Sequence, residues 1–187
     1  MLQLRIALIA AALFILGSGS ADPATAKTVL VTGSSQGHGL AFINDYAERG
    51  WTVIATTRTP STATQLQALA ASFPDVTVEE LDVTDFAEVD ALADKYKDTP
   101  IDVLNLNGAI NTFRVGRNTH GETDYAWLEQ VLKTNIVGQL YVSEAFLEHV
   151  AASDQKTIAV MSAVGGSITN VRSATAPSYR TSKAGLN

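Results

Sequence analysis

The sequence predicts an α/β fold: a doubly wound parallel sheet in the order 3-2-1-4-5 with helices on both faces. Three observations predict it. Short β-branched and aliphatic runs alternate strictly with longer helical segments from Lys27 onward, these runs are apolar on both faces, and the first of them ends in a glycine-rich turn. Such sheets are of the Rossmann type, and their ligands sit outside the carboxyl ends of the strands.

The first strand is Thr28-Val29-Leu30-Val31-Thr32, and the turn after it leads into a helix from about Gly39 to Arg49, closed by Gly50. The second strand is Thr52 to Thr57, and Pro60-Ser61 opens a helix with apolar positions at Leu66, Leu69 and Ala70. Val76 to Leu81 forms the third strand; Asp85 is the expected N-cap of a helix through Leu92 to Tyr96, broken by Asp98-Thr99-Pro100. Ile101 to Leu106 is the fourth strand, and the polar stretch Asn111 to Thr123 reads as a loop. A long helical region covers about Tyr125 to Val150, and Thr157 to Met161 is the fifth strand.

A chain of 187 residues, 46% hydrophobic and 17% charged, is long and apolar enough for one globular domain with a core. Its formal charge of −6 excludes a nucleic-acid binder, because such a surface repels a phosphate backbone. There is no cysteine, so disulfides and thiolate metal sites are excluded. His38, His120 and His149 lack ligand-like spacing; no metal is expected, and all three read as surface or loop residues.

The N-terminus differs in kind. Arg5 precedes an unbroken apolar run from Ile6 to Leu16, then the small residues Gly17-Ser18-Gly19-Ser20-Ala21. This predicts a signal peptide and short leader over residues 1–26, cleaved after Ala21 or at Ala24-Thr25-Ala26, and export to the periplasm or medium. A buried N-terminal helix and a cytoplasmic chain are the alternative. The run is too short for a stable membrane anchor, which needs about 20 residues. Residues 27–187 then form the domain.

Thr32-Gly33-Ser34-Ser35-Gln36-Gly37-His38-Gly39 sits at the first strand-to-helix crossing. Gly33 permits the tight turn, Gly37 the approach of backbone amides to a pyrophosphate, and Gly39 close packing of helix on strand. A helix N-terminus gives an acidic protein a local way to hold phosphate. The second strand ends Thr56-Thr57-Arg58, with no acid to grip a ribose 2′-hydroxyl. Arg58 can hold a 2′-phosphate bidentately, with Ser34 and Ser35 as further donors, so the expected cofactor is NADP(H) rather than NAD(H).

Near the end stands Tyr179-Arg180-Thr181-Ser182-Lys183. Positions i and i+4 share a helical face, so Lys183 can lie against Tyr179. A cation beside a phenol pulls its pKa down from about 10 toward neutrality, where it can exchange a proton with a substrate oxygen.

With this pair, the turn and the alternating sheet, the chain resembles a short-chain dehydrogenase/reductase over about Lys27 to Asn187. Thr32-Gly33-x-x-x-Gly37-x-Gly39 has the family's cofactor-turn spacing, and Leu81-Asp82-Val83-Thr84-Asp85 resembles its third-strand motif. Tyr179 to Asn187 is most similar to the C-factor-like and sniffer-type carbonyl reductases. The resemblance implies a carbonyl or alcohol substrate, with Tyr179 as general acid/base and Lys183 on the nicotinamide ribose. It implies Asp82 and Val83 at the adenine, and Asn107, Gly108 and Ala109 along the cofactor. Asn135, in Lys133-Thr134-Asn135-Ile136-Val137-Gly138, matches the asparagine that orders a relay water. The family also implies a homo-oligomer, two more strands, a substrate loop and further helices, so a fragment of a longer reductase or a natural truncation is expected.

Two motifs depart from the family. Leu106-Asn107-Gly108-Ala109 stands where Asn-Asn-Ala-Gly is usual, and Met161-Ser162-Ala163 places alanine where the catalytic serine belongs. Strand alternation sends Ser162 and Ala163 to opposite faces unless the strand end is bulged, which leaves Ser162 and Ser167 as alternative hydroxyls. A non-catalytic nucleotide-binding or signalling protein of the same fold is the rival reading.

Overall fold

The computed structural model describes residues 26–110, 121–172 and 175–187. Five parallel strands run β1 (Thr28–Val31), β2 (Thr52–Thr57), β3 (Val76–Glu80), β4 (Val103–Leu106) and β5 (Thr157–Val160), ordered β3-β2-β1-β4-β5. Thr28 pairs with Thr52, Val29 with both Val53 and Val103, and Val103 with Thr157, so β1 lies at the centre of the sheet. The helices are α1 (Gly37–Glu48), α2 (Thr64–Ser72), α3 (Phe86–Lys95), α4 (Tyr125–Leu132), α5 (Gln139–Ala145), α6 (Leu147–Ala151) and α7 (Pro177–Leu186).

Why both sheet faces are covered follows from the strand period of two. Val29, Val31, Val53 and Val103 point to one side, where they bury against Ile43 of α1 and Leu66 of α2. Leu30, Ile54 and Leu104 point to the other and bury against Val89 and Leu92 of α3 and Val142 of α5. Each such side chain contributes about 1.5–3 kcal/mol when withdrawn from water. Asp85 caps α3 as expected, accepting from Ala87 N at 3.0 Å and Glu88 N at 3.2 Å.

The structure corrects four expectations. The region from Tyr125 to Val150 is not one helix: Lys133–Gly138 is π-helical, and the chain breaks again at Phe146 between α5 and α6. Pro60–Thr62 is a 3₁₀ turn, and the α-helix starts only at Thr64. Strand β4 begins at Val103 rather than Ile101. His149 is buried rather than superficial: its Nε2 lies 3.0 Å from Ala93 O and its ring 4.9 Å from that of Phe146. His38 is exposed, and His120 lies outside the described residues.

The expected leader, Ala26 apart, also lies outside the described residues, among which no helix is long and apolar enough to cross a membrane. Of the long polar loop expected from Asn111, residues 111–120 lie outside them too. Among the described residues β5 borders only β4, and its Ile158 and Val160 are exposed.

Candidate active site

Every strand presents its carboxyl end to one cleft of about 430 Å³. The turn after β1 supplies Gly33, Ser35, Gln36, His38 and Gly39; the end of β2 supplies Thr57 and Arg58. Leu81, Asp82 and Val83 follow β3, and Asn107 to Ile110 follow β4. Met161, Ser162 and Ala163 follow β5, while Tyr179 and Lys183 descend from α7.

The turn is shaped by what its glycines leave out. Gly33 has φ of +69°, and a Cβ there would stand 2.7 Å from Gly108 Cα. A Cβ on Gly39 would run into the Gly33 carbonyl oxygen and lie 2.7 Å from Asn107 Nδ2. Gly37 has φ of +58°, the left-handed region that favours glycine, and open space where a Cβ would be. Asn107 holds the turn from across the sheet, its Nδ2 donating to Thr32 O at 3.0 Å and Gly33 O at 3.1 Å. Behind the turn, α1 has no acidic residue in its first turn and no side-chain cap, which leaves its N-terminal amides for an anion.

Ser34 is corrected. Its side chain is wholly buried, its Oγ donates to Val31 O at 2.8 Å, and it is absent from the cleft lining. It stabilises the turn from beneath, whereas Ser35 and Arg58 do line the cleft. Asp82 lies at the same end, its Oδ1 accepting from Thr84 N at 2.9 Å and Thr84 Oγ1 at 2.7 Å.

At the other end α7 starts at Pro177, preset for a first helical position, after Ala176 at φ of +54°. Gly166 lets it dock: a Cβ there would stand 2.6 Å from the Lys183 carbonyl carbon. Lys183 is 3% exposed, and its Nζ donates to Met161 O at 2.6 Å while lying 5.8 Å from the Tyr179 ring centroid. Burial pushes Tyr179 above the ordinary phenol range and Lys183 below the ordinary ammonium range. The expected downward pull of Lys183 on Tyr179 is therefore corrected. The ammonium is engaged by the Met161 carbonyl, and removal from water dominates both groups.

Strand β5 ends at Val160, with Met161 N donating to Leu106 O at 3.1 Å. Ser162 and Ala163 both contribute to the cleft lining, while exposure still alternates past the strand end, Met161 and Ala163 being half-buried and Ser162 and Val164 exposed, in keeping with the opposite faces expected. Ser162 Oγ reaches only Lys183 O at 3.5 Å, a long bond for a hydroxyl. Ser167 does not line the cleft; its Oγ accepts from Asn170 Nδ2 at 2.9 Å.

Asn135 lies in the π-helical segment, fully buried. Its Nδ2 donates to Ile110 O and to Ser182 Oγ, both at 3.0 Å, and its Oδ1 accepts from Ile110 N at 2.8 Å. Ser182 Oγ in turn donates to Tyr179 O at 2.8 Å, tying the segment to α7.

The short chain dehydrogenase profile matches residues 27–187, which is the whole described domain. The chain belongs to the short chain dehydrogenase family. An oxidoreductase of Schizosaccharomyces pombe of uncharacterized role is 30% identical over 167 residues, spanning 87% of this chain and 64% of that protein. A short-chain dehydrogenase/reductase from Burkholderia multivorans with bound NADP superposes with a TM-score of 0.75 at 31% identity, covering 87% of this chain and 69% of that one. An NADPH-bound carbonyl reductase from chicken fatty liver gives 0.77 at 30% identity, covering 86% and 70%. The chain thus spans just under two thirds of the S. pombe relative's length.

Several cleft residues were not given as site residues from the sequence: Thr57, Leu81, Ile110, Thr134 and Met161. The rule that ligands of open α/β sheets lie at the carboxyl ends of the strands singles out Thr57, Leu81 and Met161, which end or follow β2, β3 and β5. Ile110 and Thr134 carry no such signal, because one is apolar and the other sits mid-helix.

Proposed function

We propose that this chain is the cofactor-binding and catalytic part of an NADP(H)-dependent oxidoreductase acting on a small carbonyl or alcohol. The observation that carries the reading is that the glycine turn, Arg58, Asp82, Tyr179 and Lys183 line one cleft. The residues present fit the dinucleotide: a Cβ at Gly33 or Gly39 would collide with neighbouring backbone, and α1 presents an uncapped N-terminus beside them. The similarity to NADP-bound and NADPH-bound relatives supports the same cofactor.

When bound, the nicotinamide supplies or accepts the hydride. Each residue of the chain then has a task. The turn amides and α1 hold the pyrophosphate, Arg58 and Ser35 the 2′-phosphate, and Asp82 with Val83 the adenine. Asn107, Gly108 and Ala109 form the wall beside the ribose. In reduction Tyr179 gives its proton to the carbonyl oxygen, and in alcohol oxidation it takes the proton back. Lys183, held at Met161 O, presents its remaining donors toward the ribose. Asn135 fixes Ile110 and α7, and a relay water at its segment would return the proton to Tyr179. Ser162, the serine of the Met161 to Ala163 segment, donates to the developing oxyanion.

Replacing Arg58 by alanine is expected to weaken NADPH binding about ten- to hundred-fold and leave NADH binding nearly unchanged, the worth of one or two bonds to a charged group. Fluorescence titration with each dinucleotide checks this; an unaltered NADPH preference contradicts it. We also propose export of the mature chain. Mass spectrometry of the expressed protein is expected to find an N-terminus just after Ala21 or Ala26, and an intact Met1 contradicts it.

One observation favours a second reading. Ala163 offers no hydroxyl at the position the family uses, which suits a protein that binds the dinucleotide without turnover. NADPH binding with no consumption across aldehydes and ketones would establish that reading.

A further inference from the structure

Gln139 opens α5 directly after the π-helical segment and is only 1% exposed. An amide so enclosed is costly unless its polar atoms are bonded, so where its bonds go reveals what it does. Its Nε2 donates to Gly108 O at 2.6 Å and to Thr134 O at 3.4 Å, and its Oε1 accepts from Thr32 Oγ1 at 3.3 Å. Thr32 Oγ1 in turn accepts from Gly108 N at 2.9 Å. The N–H and C=O of Gly108 are therefore both gripped, one by Thr32 and one by Gln139. One helical turn earlier, Asn135 grips the N–H and C=O of Ile110 in the same way. The segment between these grips, Gly108-Ala109-Ile110, is a wall of the cofactor cleft.

The grip also explains the glycine. A Cβ on residue 108 would stand 3.2 Å from Thr32 Oγ1 and 3.4 Å from Gln139 Nε2, so a side chain there competes with the clamp for the same space. Gln139 also bonds Thr134 O of the preceding helical segment and Thr32 at the end of β1, but its shortest bond goes to the cleft wall, 31 residues away in sequence.

We propose that Gln139 is a positioning residue for cofactor binding: together with Thr32 it fixes the Gly108 peptide, and the glycine at 108 is there to admit it. The inference rests on the NADP(H) reading above. Gln139 touches no reacting atom and acts only through the wall it holds.

Gln139→Met keeps the volume and removes every bond that Gln139 makes, leaving Thr32 alone on the Gly108 N–H. The Kd for NADPH, read by fluorescence titration, is expected to rise about ten-fold, the worth of one net hydrogen bond at the upper end of the usual range. In the cofactor-free chain the Gly108 amide is expected to exchange with solvent faster while the amides of β1 keep their protection. Gly108→Ala is expected to weaken NADPH binding in the wild type and to cost less in a Gln139→Ala background, where room has been made. If Gln139→Met fails to fold, that comparison decides. An unchanged Kd in Gln139→Met, or an equal cost of Gly108→Ala in both backgrounds, overturns the inference. Absence of NADPH binding by the wild type would instead overturn the cofactor reading, and this inference with it.

Discussion

Tyr179→Phe is expected to lower turnover of any carbonyl substrate about 10²–10⁴-fold while leaving the NADPH Kd within a factor of a few. Tyr179 lines the cleft with Lys183, Ser162 and Ala163, and the substitution removes only its hydroxyl oxygen. Because burial raises the Tyr179 pKa, the proton-bearing form prevails through neutral pH. The sign of the pH dependence follows. Carbonyl reduction needs the phenol, so its rate holds a plateau through neutrality and falls only as pH climbs through the raised pKa. Alcohol oxidation needs the phenolate and gains rate as pH rises toward the same value. The alkaline limb should vanish in Tyr179→Phe. A reduction rate that already falls between pH 6 and about 8 would mean that the Lys183 ammonium governs Tyr179 after all.

The second large effect lies one strand away. Ser162→Ala is expected to reduce turnover about 10²-fold, the usual worth of one oxyanion donor. Ala163→Ser in that background is expected to restore much of it, because residue 163 also lines the cleft and stands where the family carries its serine. Steady-state kinetics on the two single variants and the double variant check this. If Ser162→Ala is silent, the hydroxyl is not used, and the absence of a serine at 163 is a true loss.

How far the sequence reached depended on the kind of signal. The sheet was legible because both-face apolar runs have few other homes, and Val29, Leu30 and Val31 fall on alternate faces as a strand period requires. The glycine turn was legible because position 33 needs a positive φ and position 39 has no room for a Cβ. What was missed depends on chain path rather than residue type. Ser34 reads as a donor to phosphate, yet the turn rotates it inward onto Val31 O. The π-helical segment has no compositional mark; it is a property of the backbone from Lys133 to Gly138. Gln139 did leave a trace, a polar residue four positions after Asn135 on a face that is otherwise buried.

The account's central claim is that a hydride crosses this cleft while Tyr179 handles the proton. The most direct measurement is mass spectrometry of the alcohols formed when the wild-type chain is incubated with NADPH deuterated at the transferring carbon and a panel of aldehydes and ketones. The account predicts one deuterium on the carbinol carbon of at least one product, with the yield falling in Tyr179→Phe. Tight NADPH binding with no deuterium in any product, or labelling indifferent to Tyr179, would contradict it.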